Sequence, residues 1–398
     1  MNEKYVEALE QYDMEVKSVR KGRGSWICET DRGIRLLKEY RGTARRLEFE
    51  DEVLGTLDTR GSLRADRYLR NSEGSLMTIT GDGTRYILKD WFLDRECNIK
   101  DGYEIRQALS RLAMLHRQLR EIQFREEWSM GSIVAEPLEE ELERHNREMQ
   151  RTRNYIRSKR RKSEFELCVI GNFQMFYDQA LEAARGMAEL WDQKDTADQK
   201  DTADHTYDNA ENAFADSLEA AEVKAAEVRA AEVKAAEVKP PDQPKAQPEV
   251  RPSAPGAPAR GDKCKSLHLC HGDLDQHHVL MGNNYTAVIE YNRMHMGIQV
   301  SDLYRFMRKV MEKHSWNLEL GLSMLDSYER VLPMDSRERT CLYYLFLYPE
   351  KYWKQLNFYY NANKAWIPGR NIDKLHGLEE QQQARNSFLK RLRTDCPG

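Results

Sequence analysis

Two acidic residues flank a pair of short apolar segments in the C-terminal third of the chain. The tripeptide His271-Gly272-Asp273 precedes the first segment, and Glu290 follows the second. A turn at Asn283-Asn284 separates the segments, and this pattern predicts a β-hairpin. In phosphoryl transfer, a loop Asp accepts a proton from the acceptor hydroxyl, and a later acid holds the metal ions on the phosphates. The stretch therefore predicts a site for phosphate chemistry.

Phosphate chemistry also needs a cation on the nucleotide side, and the N-terminal region offers Lys38. Three strands are predicted there, at 14–19, 25–29 and 34–40, and Lys38 lies in the third. The segment 44–57 has helical spacing, with Glu50 on its apolar face. We expect Glu50 to hold Lys38 in place, with Glu48 and Glu52 as alternatives.

The sequence HGDLDQHHVL resembles the catalytic loop of the aminoglycoside-phosphotransferase and choline-kinase group, usually HGDxxxxN. The resemblance implies that Asp273 is the catalytic base and His271 the loop histidine, and that Lys38 binds the phosphates of ATP. It assigns Glu290 and His278 to the Mg²⁺ ions. Both metal positions depart from the group, because His278 replaces an Asn and Glu290 replaces an Asp.

The C-terminal segment 348–375 is rich in aromatic residues, and an earlier helix ends in LAMLH. Together with the loop, these features resemble the CotS family of spore-coat proteins, which are kinase-like. This resemblance implies synthesis in the cytoplasm, incorporation into the spore coat and contact with other coat proteins. The acceptor would be a small molecule or a polysaccharide.

The expected fold is α+β, with the two lobes of a protein kinase: a small antiparallel-sheet N-lobe and a larger, mainly helical C-lobe. The repeats DQKDTA and AAEVK and a Pro/Ala-rich tail have no large apolar face, so they predict a disordered insertion. The predicted divisions are the N-lobe at 1–95, the first part of the C-lobe at 96–192, the insertion at 193–263, and the hairpin with the remaining helices at 264–398.

The composition of the 398 residues excludes several classes of protein. The net charge is −4, which does not indicate a nucleic acid or an anionic membrane as partner. No apolar run reaches the length of a membrane span, and the N-terminus lacks the pattern of a signal peptide. Seven scattered cysteines indicate reduced thiols rather than a disulfide framework.

Two other interpretations remain open. The crowded cysteines and histidines at 264, 268, 270, 271, 277 and 278 could hold zinc, although their spacing differs from that of known zinc sites. Alternatively, the fold could serve without catalysis as an assembly module of the coat. The nitrogen ligand of His278 favours that second interpretation, because Mg²⁺ prefers oxygen ligands.

Overall fold

The computed structural model describes residues 4–22, 24–128, 131, 133–192, 267–361 and 368–394. The predicted insertion at 193–263 and Cys264 therefore lie outside the described residues. One compact unit comprises Met1–Gln123, Glu136–Leu190 and Leu267–Gly398. The second comprises Phe124–Ala135 and Trp191–Ser266; its described part includes a 3-10 helix, Glu126–Trp128, where Phe124 packs edge-on against Trp128.

The N-terminal region forms a sheet with two helices. Its elements are α1 Lys4–Leu9, β1 Val16–Lys21, β2 Ser25–Thr30, β3 Gly33–Glu39, α2 Ala44–Thr56, β4 Leu63–Ala65, β5 Tyr68–Leu69, β6 Thr78–Ile79, β7 Arg85–Asp90 and β8 Arg95–Glu96. The main sheet has the order β1-β2-β3-β7-β5, with β6 also on β7, and every pair is antiparallel.

The register of the main sheet separates an apolar face from a charged one. Leu37 and Leu88 pair across β3 and β7, and their face packs in a core cluster with residues of α1 and its following turn. Leu36 pairs with Lys89. Since alternate residues share a face, Lys38 projects from the same side of the sheet as Lys89.

The remainder of the compact unit is mainly helical. Its helices are α3 Gly102–Arg120, α4 Leu138–Ser158, α5 Glu164–Asp192, α6 Val300–Lys313, α7 Leu318–Glu329, α8 Ser336–Leu347, α9 Glu350–Asn361, α10 Pro368–Glu380 and α11 Gln382–Thr394. Its strands are β9 His268–Cys270, β10 Val279–Met281, β11 Thr286–Val288 and β12 His295–Gly297. The predicted hairpin is confirmed as β10 and β11.

The hairpin lies inside a four-stranded sheet that joins distant parts of the chain. The order is β4-β11-β10-β8, with β4 parallel to β11. A separate antiparallel pair, β9 and β12, brackets the loop 271–278 and the hairpin. Among the described residues, no helix combines the length and apolar character that crossing a membrane requires.

Helix starts follow local sequence chemistry in most cases. The Thr43 side chain accepts a hydrogen bond from Arg46 N at 3.2 Å and begins α2. Helix α6 begins without a side-chain cap of this kind. Gln299 occupies the cap position without a side-chain hydrogen bond, and Asp302 lies inside the first turn. The carboxylate of Asp302 is therefore available to the neighbouring loop.

Candidate active site

Asp302 holds the loop that contains His271, Gly272 and Asp273. Its carboxylate is buried and accepts hydrogen bonds from His271 N at 2.7 Å and Gly272 N at 2.9 Å. His116 Nε2, from α3, lies 3.4 Å from the same carboxylate. Burial raises the pKa of Asp302, but His116 and the other neighbouring histidines outweigh it and hold the pKa well below its usual range. Asp302 thus braces the backbone of the loop through these two hydrogen bonds.

The loop turns at Gly272, where only glycine fits. Its φ is +83°, in the left-handed region that side chains disfavour. A Cβ atom there would lie 2.1 Å from the carbonyl oxygen of Arg293. The close approach brings the loop against the segment that follows Glu290.

His271 supports the loop rather than facing a substrate. Its ring is fully buried, and Nε2 lies 3.0 Å from the carbonyl oxygen of Ile289, so Nε2 carries the proton and donates. Nδ1 then accepts from Asp273 N at 3.3 Å. Burial lowers the pKa of His271 to about 4, which keeps the ring neutral. His271 thereby ties Asp273 to the residue that precedes Glu290.

Asp273 is accessible, and two arginines contact it. Its carboxylate is 37% exposed. Arg305 Nη1 donates to Oδ1 at 3.0 Å, and Arg293 Nε lies 3.6 Å from Oδ2. The Asp273 carboxylate therefore lies at the surface of the loop with two guanidinium groups beside it.

Glu290 lies between two lysines. Lys38 Nζ donates to Oε2 at 3.0 Å, and Lys89 Nζ lies 3.3 Å from Oε1. Burial raises the pKa of Glu290, but the two lysines outweigh it and lower the pKa to about 2. The backbone has a φ of 67°, a strained conformation for this residue. Hydrogen bonds from Glu290 N to both carboxylate oxygens of Asp66, at 3.1 and 3.2 Å, hold it there.

The structure differs from the sequence prediction at Glu50. Its carboxylate is buried and accepts from Arg46 Nε at 2.6 Å and from Tyr68 Oη at 2.6 Å. The expected pairing with Lys38 is replaced by the pair of Lys38 with Glu290. The reason is local: Arg46 lies one helical turn before Glu50, and it also donates to the carbonyl oxygen of Met294.

The donor set does not fit the expected Mg²⁺ ions. Both carboxylate oxygens of Glu290 already contact ammonium groups. His278 Nδ1 donates to the carbonyl oxygen of Asp273 at 2.6 Å, which leaves a single nitrogen as a ligand, where Mg²⁺ prefers oxygen. In the described parts of the chain, no three Cys, His, Asp or Glu side chains are grouped as metal ligands. That finding also leaves the zinc interpretation without support there.

Sequence reasoning missed the residues that complete the site. Lys89 and Asp66 were not identified, nor were Arg46, Arg293 and Arg305. Lys89 had a local signal, since it directly follows the apolar run Tyr86 to Leu88. Asp66 had none, because it follows a three-residue strand whose partner is β11, far along the chain.

The comparisons with known proteins concern the fold. No model of a known protein family matches the chain, and a search of curated proteins finds no match. An aminoglycoside phosphotransferase from Alicyclobacillus acidocaldarius superposes with a TM-score of 0.69 at 15% identity, over 98% of this chain and 95% of that one. Spectinomycin phosphotransferase APH(9)-Ia has a TM-score of 0.51 at 10% identity, over 95% and 94%. The amicoumacin kinase hAmiN has 0.50 at 11%, over 98% and 94%.

These similarities confirm the predicted fold class. The chain has a kinase-like α+β fold of the aminoglycoside-phosphotransferase kind, with an antiparallel-sheet N-terminal region and a mainly helical C-terminal part. At such identities the likeness extends to the fold alone.

Proposed function

We propose that the chain is a kinase-like phosphotransferase of the bacterial spore coat. It binds a nucleotide such as ATP beside Lys38 and transfers the terminal phosphoryl group to a hydroxyl of a small molecule or a polysaccharide. The observation that carries the proposal is the ion pair of Lys38 and Glu290 at 3.0 Å, which joins the main sheet to the segment after the hairpin. His271 holds Asp273 next to that segment.

In the proposed reaction Asp273 is the base. An acceptor hydroxyl loses its proton to the Asp273 carboxylate, its oxygen forms a bond to the terminal phosphorus, and the bond from that phosphorus to the bridging oxygen breaks. The nucleoside diphosphate leaves with the bonding electrons. Lys38 places positive charge beside the phosphates, and the loop stays rigid because Asp302 accepts two of its backbone N–H groups.

The coat role rests on the family resemblance of the aromatic C-terminal segment. In the described part of that segment, the aromatic residues have internal partners. Tyr352 Oη donates to the carbonyl oxygen of Val169 at 3.1 Å, and Trp353 Nε1 donates to Glu148 at 2.8 Å. The segment therefore stabilises the helical part.

A second candidate is an assembly module without turnover. The observation that favours it is the double contact of Asp273 with Arg305 and Arg293, which occupies the proposed base. An acceptor hydroxyl would have to share or replace the contact with Arg305.

Asp273→Asn separates the two candidates. The amide cannot take the hydroxyl proton, so phosphate transfer should fall by about 100-fold or more while nucleotide affinity is kept. Transfer is measured as nucleoside diphosphate release in the presence of hydroxyl-bearing small molecules and polysaccharides, and affinity by calorimetry. Asp326→Asn, a change at an exposed carboxylate of α7, is the matched control.

The outcomes differ for the two candidates. Transfer that survives Asp273→Asn unchanged would exclude Asp273 as the base. Absence of transfer in the natural protein, with normal coat assembly of the Asp273→Asn variant, would favour the assembly module. An assembly defect in that variant, with intact folding, would count against a purely structural role.

A further inference from the structure

A buried ion pair lies directly behind Glu290. Lys89 Nζ and Asp66 Oδ2 are 2.5 Å apart, and their side chains are 3% and 1% exposed. A buried charge is stable only with a partner, so neither residue can leave the other without a large cost in stability. Lys89 also reaches Glu290 Oε1 at 3.3 Å. The pair is thus a fixed part of the candidate active site.

Four charges form a continuous row across the site. The order is Asp66, Lys89, Glu290 and Lys38, with each neighbour in contact. Two carboxylates and two ammonium groups sum to zero. A site for a divalent cation needs an excess of negative oxygen ligands, and this row has no excess.

The two lysines differ in their freedom to move. Lys89 is enclosed and bonded to Asp66, whereas the Lys38 side chain is 36% exposed. An arriving phosphate can therefore draw Lys38 away from Glu290. Glu290 would then keep Lys89 as its counter-charge.

We propose that Lys89 takes the place of a metal ion beside Glu290, so that this row of charges binds a nucleoside di- or triphosphate without a divalent cation. The inference rests on the nucleotide binding proposed above. Glu290 acts as an internal anion that orients Lys38, and it is not a metal ligand. The ligand is the metal-free nucleotide, whose phosphates are bound by the ammonium group of Lys38.

The first test compares ADP and ATP affinity by calorimetry in excess Mg²⁺ and in excess EDTA. The natural protein should bind equally well in both, within about 3-fold. Binding that requires Mg²⁺ would overturn the inference and leave the proposed function standing. No binding in either condition, by protein whose thermal melting shows that it is folded, would overturn both.

Glu290→Gln should change the nucleotide affinity in opposite directions, depending on whether Glu290 is an internal anion or a metal ligand. Removal of this anion leaves two lysines without their shared partner, so metal-free ATP should bind about tenfold more tightly. If Glu290 were a metal ligand, the variant would instead weaken binding in Mg²⁺ and leave binding in EDTA unchanged. Weaker binding in Mg²⁺ would therefore reject the inference.

A paired variant tests Lys89 itself. Lys89→Met together with Asp66→Asn removes both buried charges at once, which avoids an unpaired ion, and Asn can still accept from Glu290 N. Glu290 then has Lys38 alone, so affinity in EDTA should fall by about tenfold, and Mg²⁺ should restore part of it. Unchanged metal-free affinity would contradict the proposal.

The matched control is a comparable pair in the helical part. Lys159 Nζ and Glu166 Oε1 are 2.7 Å apart, and the Glu166 side chain is fully buried. Lys159→Met with Glu166→Gln removes the same kinds of charge. It should leave nucleotide affinity unchanged in both conditions, so an equal loss there would show that the effect at Lys89 is not specific.

Discussion

At the scale of single residues, Asp302 joins three parts of the chain. Its carboxylate receives the N–H groups of His271 and Gly272 and lies beside His116 of α3. Water cannot supply these hydrogen bonds in place of Asp302, because the residue is only 1% exposed. The conformation of the loop therefore depends on this one side chain.

Replacement of Asp302 by Ala should destabilise the protein severely. It leaves two buried N–H groups without an acceptor, so the free energy of unfolding should fall by about 3 kcal/mol, as measured by urea denaturation. The control is Asp326→Ala, since Asp326 is exposed and, within the described residues, its carboxylate pairs only with Arg330 at the end of the same helix. Asp326→Ala should change the free energy of unfolding by no more than about 0.5 kcal/mol. Equal losses in the two variants would contradict the assigned role.

The stability should also depend on pH through His271. Its pKa is lowered to about 4 in the folded protein and is about 6.5 when unfolded. Between these values the unfolded state binds a proton that the folded state does not. Stability therefore falls as the pH is lowered from about 6.5 to about 4, by up to about 1.4 kcal/mol per pH unit.

His271→Asn should remove its share of this slope. His145 and His268 also have pKa values lowered to about 4 by burial, so part of the slope should remain. The measurement is urea denaturation at several pH values in this window. An identical slope for the variant and the natural protein would show that His271 does not titrate there.

The residues of the site were only partly predictable from sequence. Lys38, Asp273 and Glu290 follow from a local motif or from a charge within a predicted strand. The partner of Glu50 could not be predicted, because helical spacing shows which face a residue occupies but not which cation reaches it. Arg46 is nearer along the helix and prevails over Lys38.

At the scale of elements, α2 is tied to the segment after Glu290 through Arg46. Its guanidinium joins Glu50 and the carbonyl oxygens of Asn292 and Met294. A double-mutant cycle with Arg46→Met and Glu50→Gln should give a coupling of about 1 kcal/mol or more. The same cycle with Lys38→Met in place of Arg46→Met should give a coupling near zero. A larger coupling energy for Lys38 than for Arg46 would show that Lys38, rather than Arg46, pairs with Glu50.

Long periodic elements were predicted well and short ones were not. The strands β1, β2 and β3 and the helix α2 lie within two residues of their expected bounds. The strands β4 and β8 were missed because each has only two or three residues. Their stability comes from pairing with the hairpin far along the chain, which no local pattern reveals.

At the scale of the whole molecule, the repeats and the Pro-rich tail carry a prediction of their own. They have no large apolar face that could pack against the body. Deletion of residues 193–259 should therefore leave folding and the melting temperature nearly unchanged, as measured by circular dichroism. A matched control deletes the helix α11, which supplies the buried Phe388 and should destabilise strongly. A large loss from the first deletion would show that the segment packs.

The four-stranded sheet has a consequence for how the molecule can move. Strands β4 and β8 come from the N-terminal region, yet they flank both edges of the hairpin. Thr286 N donates to Ser62 O at 2.8 Å, and Cys97 N donates to Val279 O at 2.8 Å. A hinge rotation of the main sheet relative to the hairpin would have to break the pairing of β4 with β11 and that of β8 with β10 at the same time. A ligand would then enter and leave through movements of single side chains such as Lys38, while the backbone of the two sheets stays in place.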